Sequence, residues 1–112
     1  MTTAFSIVNG LGVAAPQGDL MASTAGAFRE EFVAWFAMAG VRNVVVDLSL
    51  VAFLDSAGLG ALIALLKRVS EYGGDLSLSG LQKKARMVLE ITRTHRIFEI
   101  YETVEEAARN VK

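Results

Sequence analysis

The sequence predicts an α/β fold in which a mixed β-sheet of about four to five strands packs against about four helices. Residues 44–46 are three consecutive valines, a run that is typical of a parallel-sheet strand covered on both faces. After it, apolar residues recur at spacings of three and four from residue 59 to residue 69, which indicates a helix with one buried face. Near the N-terminus, Asn9-Gly10 separates two apolar runs, and this dipeptide is a strong signal for an antiparallel hairpin.

The first third of the chain is predicted to form that hairpin and then a helix. Pro16 cannot donate a hydrogen bond to a sheet, so it marks the end of the second hairpin strand. Ser23 or Thr24 caps the helix, and Gly40 ends it. Four aromatic side chains share one face of this helix and are expected in the core rather than around a ligand: Phe28, Phe32, Trp35 and Phe36.

The rest of the chain is predicted to alternate strands with helices, which implies a mostly parallel or mixed sheet. The valine strand is followed by a helix that begins at Asp55-Ser56 and ends at Gly73-Gly74. The remaining elements are a strand at residues 75–79, a helix around residues 81–92, a candidate edge strand at residues 97–101, and a C-terminal helix that opens with a Thr103–Glu106 capping box.

Composition restricts the classes of function. The 112 residues fit one domain, expected to span residues 1–112, and the 53% share of hydrophobic residues is enough for a core. A formal net charge of -1 gives no indication of nucleic-acid binding. The absence of cysteine excludes disulfides, thiolate zinc sites and a cysteine nucleophile. Neither a signal peptide nor an apolar run long enough for a bilayer is present, so we expect a cytoplasmic protein without membrane insertion. We also expect no cofactor.

Charges are segregated near the C-terminus. A basic group (Lys83, Lys84, Arg86, Arg93 and Arg96) is followed by an acidic group (Glu99, Glu102, Glu105 and Glu106). Such a surface can steer a protein partner, although a solvated face is the usual explanation for a run of charges.

The start of the helix after the valine strand is the stretch best suited to binding or chemical modification. Asp55 and Ser56 are both good N-cap residues. Gly58 and Gly60 leave the first turn without side chains, so a partner could approach the backbone closely. A phosphate on Ser56 would be stabilised by unpaired backbone N–H groups and by the helix dipole. Local sequence alone favours a capping role for Asp55 or Ser56 over a reactive site.

Three kinds of catalytic or ligand site fit the sequence poorly. A serine hydrolase would use Ser56, but Leu54 stands where a nucleophile elbow has glycine, and His95 is the only imidazole. Gly58-Leu59-Gly60 begins like a dinucleotide fingerprint, but the third glycine is missing. Three aspartates could gather at strand ends and hold Mg²⁺ weakly, although caps and turns are their more usual role: Asp19, Asp47 and Asp55.

Residues 44–67, VVVDLSLVAFLDSAGLGALIALLK, resemble a STAS domain of the anti-sigma factor antagonist family. The shared pattern is an apolar strand, Asp-Leu, an apolar pair and then Asp-Ser-x-Gly-Leu-Gly. The resemblance extends over nearly the whole chain, through Gly18-Asp19-Leu20, Gly73-Gly74 and the segment THRIFEIYETVEEA. It implies a single STAS domain with no catalytic residue, no metal site and no enzyme activity.

The resemblance also implies a phosphorylation switch at Ser56. The expected partner is an anti-sigma factor that is also a serine kinase, and the unphosphorylated protein binds it and frees a sigma factor. Phosphorylation breaks that complex, and a separate phosphatase resets it. The partner-binding positions implied are Asp19, Asp55, Ser56, Ala57, Gly58, Leu59 and Gly60.

The chain departs from the family pattern at three positions. Met21 stands where many members have an acidic residue, Pro16 replaces an aliphatic residue, and Ala57 replaces the common Ser or Thr. An alternative function is a STAS module that docks in a transporter or signalling complex without a serine phosphorylation cycle.

Overall fold

The computed structural model describes residues 2–110. Its elements follow one another in the order that the sequence predicts. The strands are β1 (Thr2–Val8), β2 (Leu11–Gln17), β3 (Val44–Asp47), β4 (Leu76–Ser79) and β5 (Ile100–Tyr101), and the helices are α1 (Ala25–Ala39), α2 (Ser56–Glu71), α3 (Lys83–Ile91) and α4 (Val104–Asn110). A 3₁₀ turn at Thr94–Arg96 separates α3 from β5. None of the helices in this part of the chain is both long and apolar enough to cross a bilayer.

The five strands form one mixed sheet in the order β1-β2-β3-β4-β5. β1 pairs antiparallel with β2, and the other three pairings are parallel. The predicted hairpin is confirmed, because Asn9 and Gly10 both have the positive φ angles, 51° and 82°, that a tight hairpin turn needs. Pro16 lies inside β2 opposite Thr3, beyond Ala14, where the pairing of β2 with β3 ends.

The last strand is shorter than the sequence predicts. We expected a strand over residues 97–101, but only Ile100 and Tyr101 pair with β4. Residues 97–99 follow the 3₁₀ turn at Thr94–Arg96 without being part of a strand, and the side chain of Phe98 is buried in the core. The aliphatic and aromatic character of this segment therefore reflects burial of one side chain rather than an extended strand.

The alternation of β3 side chains divides the core into two parts. Val44 and Val46 face the larger cluster, which α1, α2 and α3 cover. Val45 faces the other side of the sheet, where Leu11 and the α4 residue Ala107 pack on it. The three successive valines are fully buried, which confirms the prediction of a strand covered on both faces.

The aromatic residues of α1 lie where the sequence places them. Phe28 and Phe32 are fully buried. The Trp35 ring meets Phe32 edge-on at a centroid distance of 5.6 Å and stacks on Phe5 of β1 at 4.7 Å. This stripe is core, so α1 contributes packing rather than a ligand pocket.

Candidate functional site

Loops that follow the parallel strands meet at one edge of the sheet, because the carboxyl ends of parallel strands share an edge. The loop after β2 and the loop after β3 are joined by three backbone hydrogen bonds. Gly18 N donates to Leu50 O at 3.1 Å, and Leu20 N donates to Phe53 O at 3.0 Å. Asp55 N returns a bond to Leu20 O at 3.1 Å. The start of α2 is therefore fixed to the loop after β2.

Asp55 is the N-cap of α2. Its Oδ1 accepts from Gly58 N at 2.9 Å, and its Oδ2 accepts from Ala22 N, in the loop after β2, at 3.0 Å. The Gly58 N–H, with that of Ala22 adding to it, holds the pKa of the Asp55 carboxyl below its ordinary value. One carboxylate thus caps the helix and ties it to the neighbouring loop, which decides between the two cap candidates of the sequence.

Ser56 is the first residue of α2, and its side chain is exposed. Among residues 2–110 no hydrogen bond engages its hydroxyl. Asp55 already caps the helix, so Ser56 has no capping task. Its Oγ lies at the positive end of a 16-residue helix, within reach of water.

The two glycines of the first turn have different environments. A Cβ on Gly58 would overlap the carbonyl oxygen of Leu20 and lie 2.8 Å from Leu54 Cδ1. A Cβ on Gly60 would meet nothing within 4 Å. The space beside Gly58 is therefore filled by the protein's own backbone, and only Gly60 leaves room for an approaching partner.

The seven predicted partner-binding positions differ in accessibility. Asp19, Ser56 and Gly60 are exposed, Asp55 and Ala57 are half-buried, and Gly58 and Leu59 are buried. The buried pair can only shape the start of α2 and cannot present a side chain to a partner.

The loop after β2 is held by Thr24 rather than by the Asp19 carboxylate. Thr24 Oγ1 donates to Asp19 O at 2.6 Å and accepts from Met21 N at 3.0 Å. Thr24 precedes α1, but its side chain makes no capping bond to that helix. The bonds between Thr24 and Met21 engage the backbone of Met21 and do not depend on its side chain.

The three aspartates proposed as a weak Mg²⁺ site do not come together. Within residues 2–110 no group of three or more acidic, histidine or cysteine side chains could hold a metal ion. Asp47 Oδ1 instead accepts from Ser49 N at 3.0 Å, and Asp55 caps α2. The metal hypothesis is wrong for the described residues, because each of these two carboxylates bonds backbone N–H groups of its own loop or helix.

His95 lies in a different part of the structure from Ser56. It precedes β5 in the 3₁₀ turn, and its Nδ1 lies 3.4 Å from Leu89 O at the end of α3. Because β5 runs parallel to β4, residues ahead of β5 lie towards the opposite edge of the sheet from the start of α2. No hydrogen bond in the described structure joins His95 to Ser56, so the arrangement of a serine hydrolase is absent there.

Two exposed apolar side chains in the loop that leads to Ser56 were not singled out from the sequence. Leu50 and Phe53, in the loop between β3 and α2, are 57% and 39% exposed. Their neighbours Val51 and Leu54 are buried. Large apolar residues in a short loop, outside any helical or strand periodicity, are the signal that could have identified them.

A family model for the STAS domain matches residues 4–107. The chain belongs to the STAS domain family. A Thermotoga neapolitana protein assigned by name as an anti-sigma factor antagonist is 32% identical over 108 residues, covering 96% of both chains.

Solved STAS structures agree with the fold. The crystal structure of a Thermotoga maritima protein assigned as an anti-sigma factor antagonist superposes with a TM-score of 0.90 at 30% identity, covering 97% of this chain and 93% of that one. The crystal structure of an anti-sigma factor antagonist from Mycobacterium paratuberculosis gives 0.87 at 27% identity, covering 98% and 92%. Both structures therefore share the fold of this chain.

Proposed function

We propose that this STAS domain is an anti-sigma factor antagonist controlled by phosphorylation of Ser56. In this proposal it binds an anti-sigma factor that is also a serine kinase and so releases a sigma factor. The kinase then phosphorylates Ser56 and leaves the complex, and a phosphatase resets the domain. The names of its relatives support the partner class. The observation that carries the switch is an exposed serine hydroxyl at the first position of a long helix whose cap is already supplied by Asp55.

The fold itself should tolerate a phosphate on Ser56. The first N–H groups of a helix have no partner within the helix, and the helix dipole favours negative charge there. The Asp55 carboxylate opposes this attraction, but both groups contact water, which screens their repulsion. Phosphorylation therefore needs no rearrangement of the domain.

A partner seated over the start of α2 would not tolerate the phosphate. Leu50 and Phe53 offer exposed apolar surface in the loop that leads to Ser56, so a partner that covers both this loop and the start of α2 also removes water from the serine. A phosphate adds a charge of about -1.5 to -2 at neutral pH. Burying it without paired cations is costly, so phosphorylation should break the complex by desolvation and leave the domain folded.

The test is intact mass after incubation with a candidate anti-sigma factor kinase and Mg-ATP. We expect one added phosphate on the wild type and none on Ser56→Ala. Ser23→Ala is the matched control, because Ser23 is also exposed and lies in the loop joined to α2, and it should still gain one phosphate. Phosphate on Ser56→Ala would refute the site.

Binding of the same kinase is then measured by calorimetry. Phosphorylated protein should bind at least about 30-fold more weakly, as expected when an unpaired charge is buried in an interface. Equal affinity before and after phosphorylation would refute the switch. Partner binding without any phosphate transfer would instead support the constitutive docking module of a transporter or signalling complex.

A further inference from the structure

One surface of the molecule combines positive charge with exposed apolar side chains, and the proposed switch does not use it. It is the outer side of α3, formed by Lys83, Lys84, Met87 and Ile91 and called here the α3 face. Lys83, Met87 and Ile91 are spaced four apart, and Lys84 and Met87 three apart, so the four side chains lie along one side of the helix. Ala85 and Leu89 point the other way, into the core.

An ordinary solvent-facing helix surface would not be expected to carry the exposed apolar side chains of the α3 face. Met87 is 49% exposed and Ile91 is 74% exposed, although both lie on the side of the helix that should carry polar residues. On α2 the corresponding outer positions near its end are polar, for example Lys67, Arg68 and Glu71. Exposed apolar residues flanked by charge are typical of an interaction surface.

The charge of this region points to an acidic partner. Residues 83–97 hold five of the 11 Lys and Arg residues of the chain and one of its 12 Asp and Glu residues. The segment therefore carries a formal charge of about +4 within a chain of -1. Only one ion pair in the described structure involves it, between Arg86 and Glu102 at 4.0 Å, so Lys83 and Lys84 on the α3 face are unpaired there.

The N-terminal end of the α3 face, which carries Lys83 and Lys84, lies near the loop that leads to Ser56. Gln82, directly before α3, donates from Nε2 to Ser49 O at 2.7 Å. Ser49 belongs to the loop that presents Leu50 and Phe53 and then leads to Ser56. The exposed apolar side chains of the loop and the first turn of α3 are thus neighbours on one side of the molecule.

We propose that the α3 face binds an acidic, partly apolar surface of the same anti-sigma factor that covers Ser56; this inference rests on the proposed function. Lys83 and Lys84 attract the partner, and Met87 and Ile91 pack against it. A lipid surface is the less suitable occupant, because α3 has nine residues, about 13 Å of helix, and offers only two exposed apolar side chains. The α3 face thereby extends the contact beyond the phosphorylated residue.

The attraction of the partner by Lys83 and Lys84 is tested by association kinetics with the immobilised kinase that modifies Ser56. Lys83→Glu/Lys84→Glu should slow association about tenfold at 0.05 M salt, as rim charges do. Because salt screens exposed charges, the difference should largely disappear at 0.5 M. Arg42→Glu/Lys67→Glu is the matched control, with the same change of net charge at exposed positions outside the α3 face, and it should stay within about twofold of wild type.

The packing of the exposed apolar side chains against the partner is tested by dissociation kinetics. Met87→Ser should raise the dissociation rate about fivefold. Met38→Ser makes the same chemical change at a methionine of α1 that is 85% exposed, and it should leave the rate unchanged. Equal effects of the two substitutions would overturn the assignment of the α3 face.

Ser56→Glu, measured in parallel, separates this inference from the proposed function. Loss of binding by Ser56→Glu with wild-type kinetics for both α3-face variants overturns the inference and leaves the switch intact. Wild-type binding by Ser56→Glu, together with altered kinetics for both α3-face variants, would support the α3 face and refute the switch. Sedimentation of the wild type, but not of Lys83→Glu/Lys84→Glu, with vesicles of phosphatidylglycerol and phosphatidylcholine would overturn the protein occupant in favour of a membrane.

Discussion

Replacing Gly58 by alanine should destabilise the protein, whereas the same change at Gly60 should stabilise it. Both residues lie in the first part of α2, where alanine is favoured over glycine by up to about 1 kcal/mol. At Gly60 the added methyl group meets nothing within 4 Å, so the propensity gain is realised. At Gly58 the methyl group overlaps Leu20 O and lies 2.8 Å from Leu54 Cδ1.

The loss of stability in Gly58→Ala comes from the displacement of the neighbouring Leu20 backbone. The Leu20 backbone has to shift by roughly 1 Å to restore ordinary contact distances, and overpacking of this kind costs about 1–3 kcal/mol. The shift also strains the bonds that join Leu20 to Phe53 and Asp55, each worth about 1 kcal/mol. After the propensity gain is subtracted, Gly58→Ala should destabilise by about 2–3 kcal/mol, and Gly60→Ala should stabilise by about 0.5–1 kcal/mol.

Urea denaturation and thermal unfolding of the two variants and the wild type measure this difference. With about 4 °C of Tm per kcal/mol for a domain of this size, Gly58→Ala should melt roughly 10 °C lower and Gly60→Ala about 3 °C higher. If Gly58→Ala is as stable as Gly60→Ala, the close approach of Leu20 to α2 is wrong, and so is the account of how the loop fixes the helix start.

Two further predictions concern the polar groups of the site and the sheet. The pKa of Asp55 is lowered in the folded state, so its contribution to stability is present above its unfolded pKa of about 3.8 and is lost as the pH falls through the folded value. Urea midpoints measured between pH 7 and pH 2.5 should therefore fall less for Asp55→Asn than for the wild type in the acid range, and parallel curves would contradict the cap. Ser79 is fully buried and its hydroxyl has no partner in the described structure, so Ser79→Ala should be neutral or stabilising by up to about 1 kcal/mol in the same assay. Destabilisation by more than about 1 kcal/mol would mean that the hydroxyl does form a hydrogen bond.

Local sequence signals were enough for the element order because each of them acts over a few residues. The valine run, the Asn9-Gly10 turn and the helical spacing after residue 59 are such signals, and all are confirmed. The strand prediction at residues 97–101 was too long, because a short apolar segment looks the same whether it pairs with a strand or buries one side chain such as Phe98.

The sequence also drew attention to the start of α2, but not to how this helix start is built. Asp55 and Ser56 were equal candidates for the cap, and only the geometry assigned that role to Asp55. The sequence suggested that Gly58 leaves space for a partner, but this space is occupied by Leu20.

By itself, the sequence determined the fold class, the hairpin, the buried strand and the position of a serine at a helix start, since these depend on neighbouring residues and on side-chain periodicity. Tertiary structure alone decided which loops meet Ser56. The bonds that join residue 22 to 55, 20 to 53 and 49 to 82 connect positions about 30 residues apart. Each of these bonds has a backbone group on at least one side, and backbone groups leave no pattern in the sequence because every residue carries them.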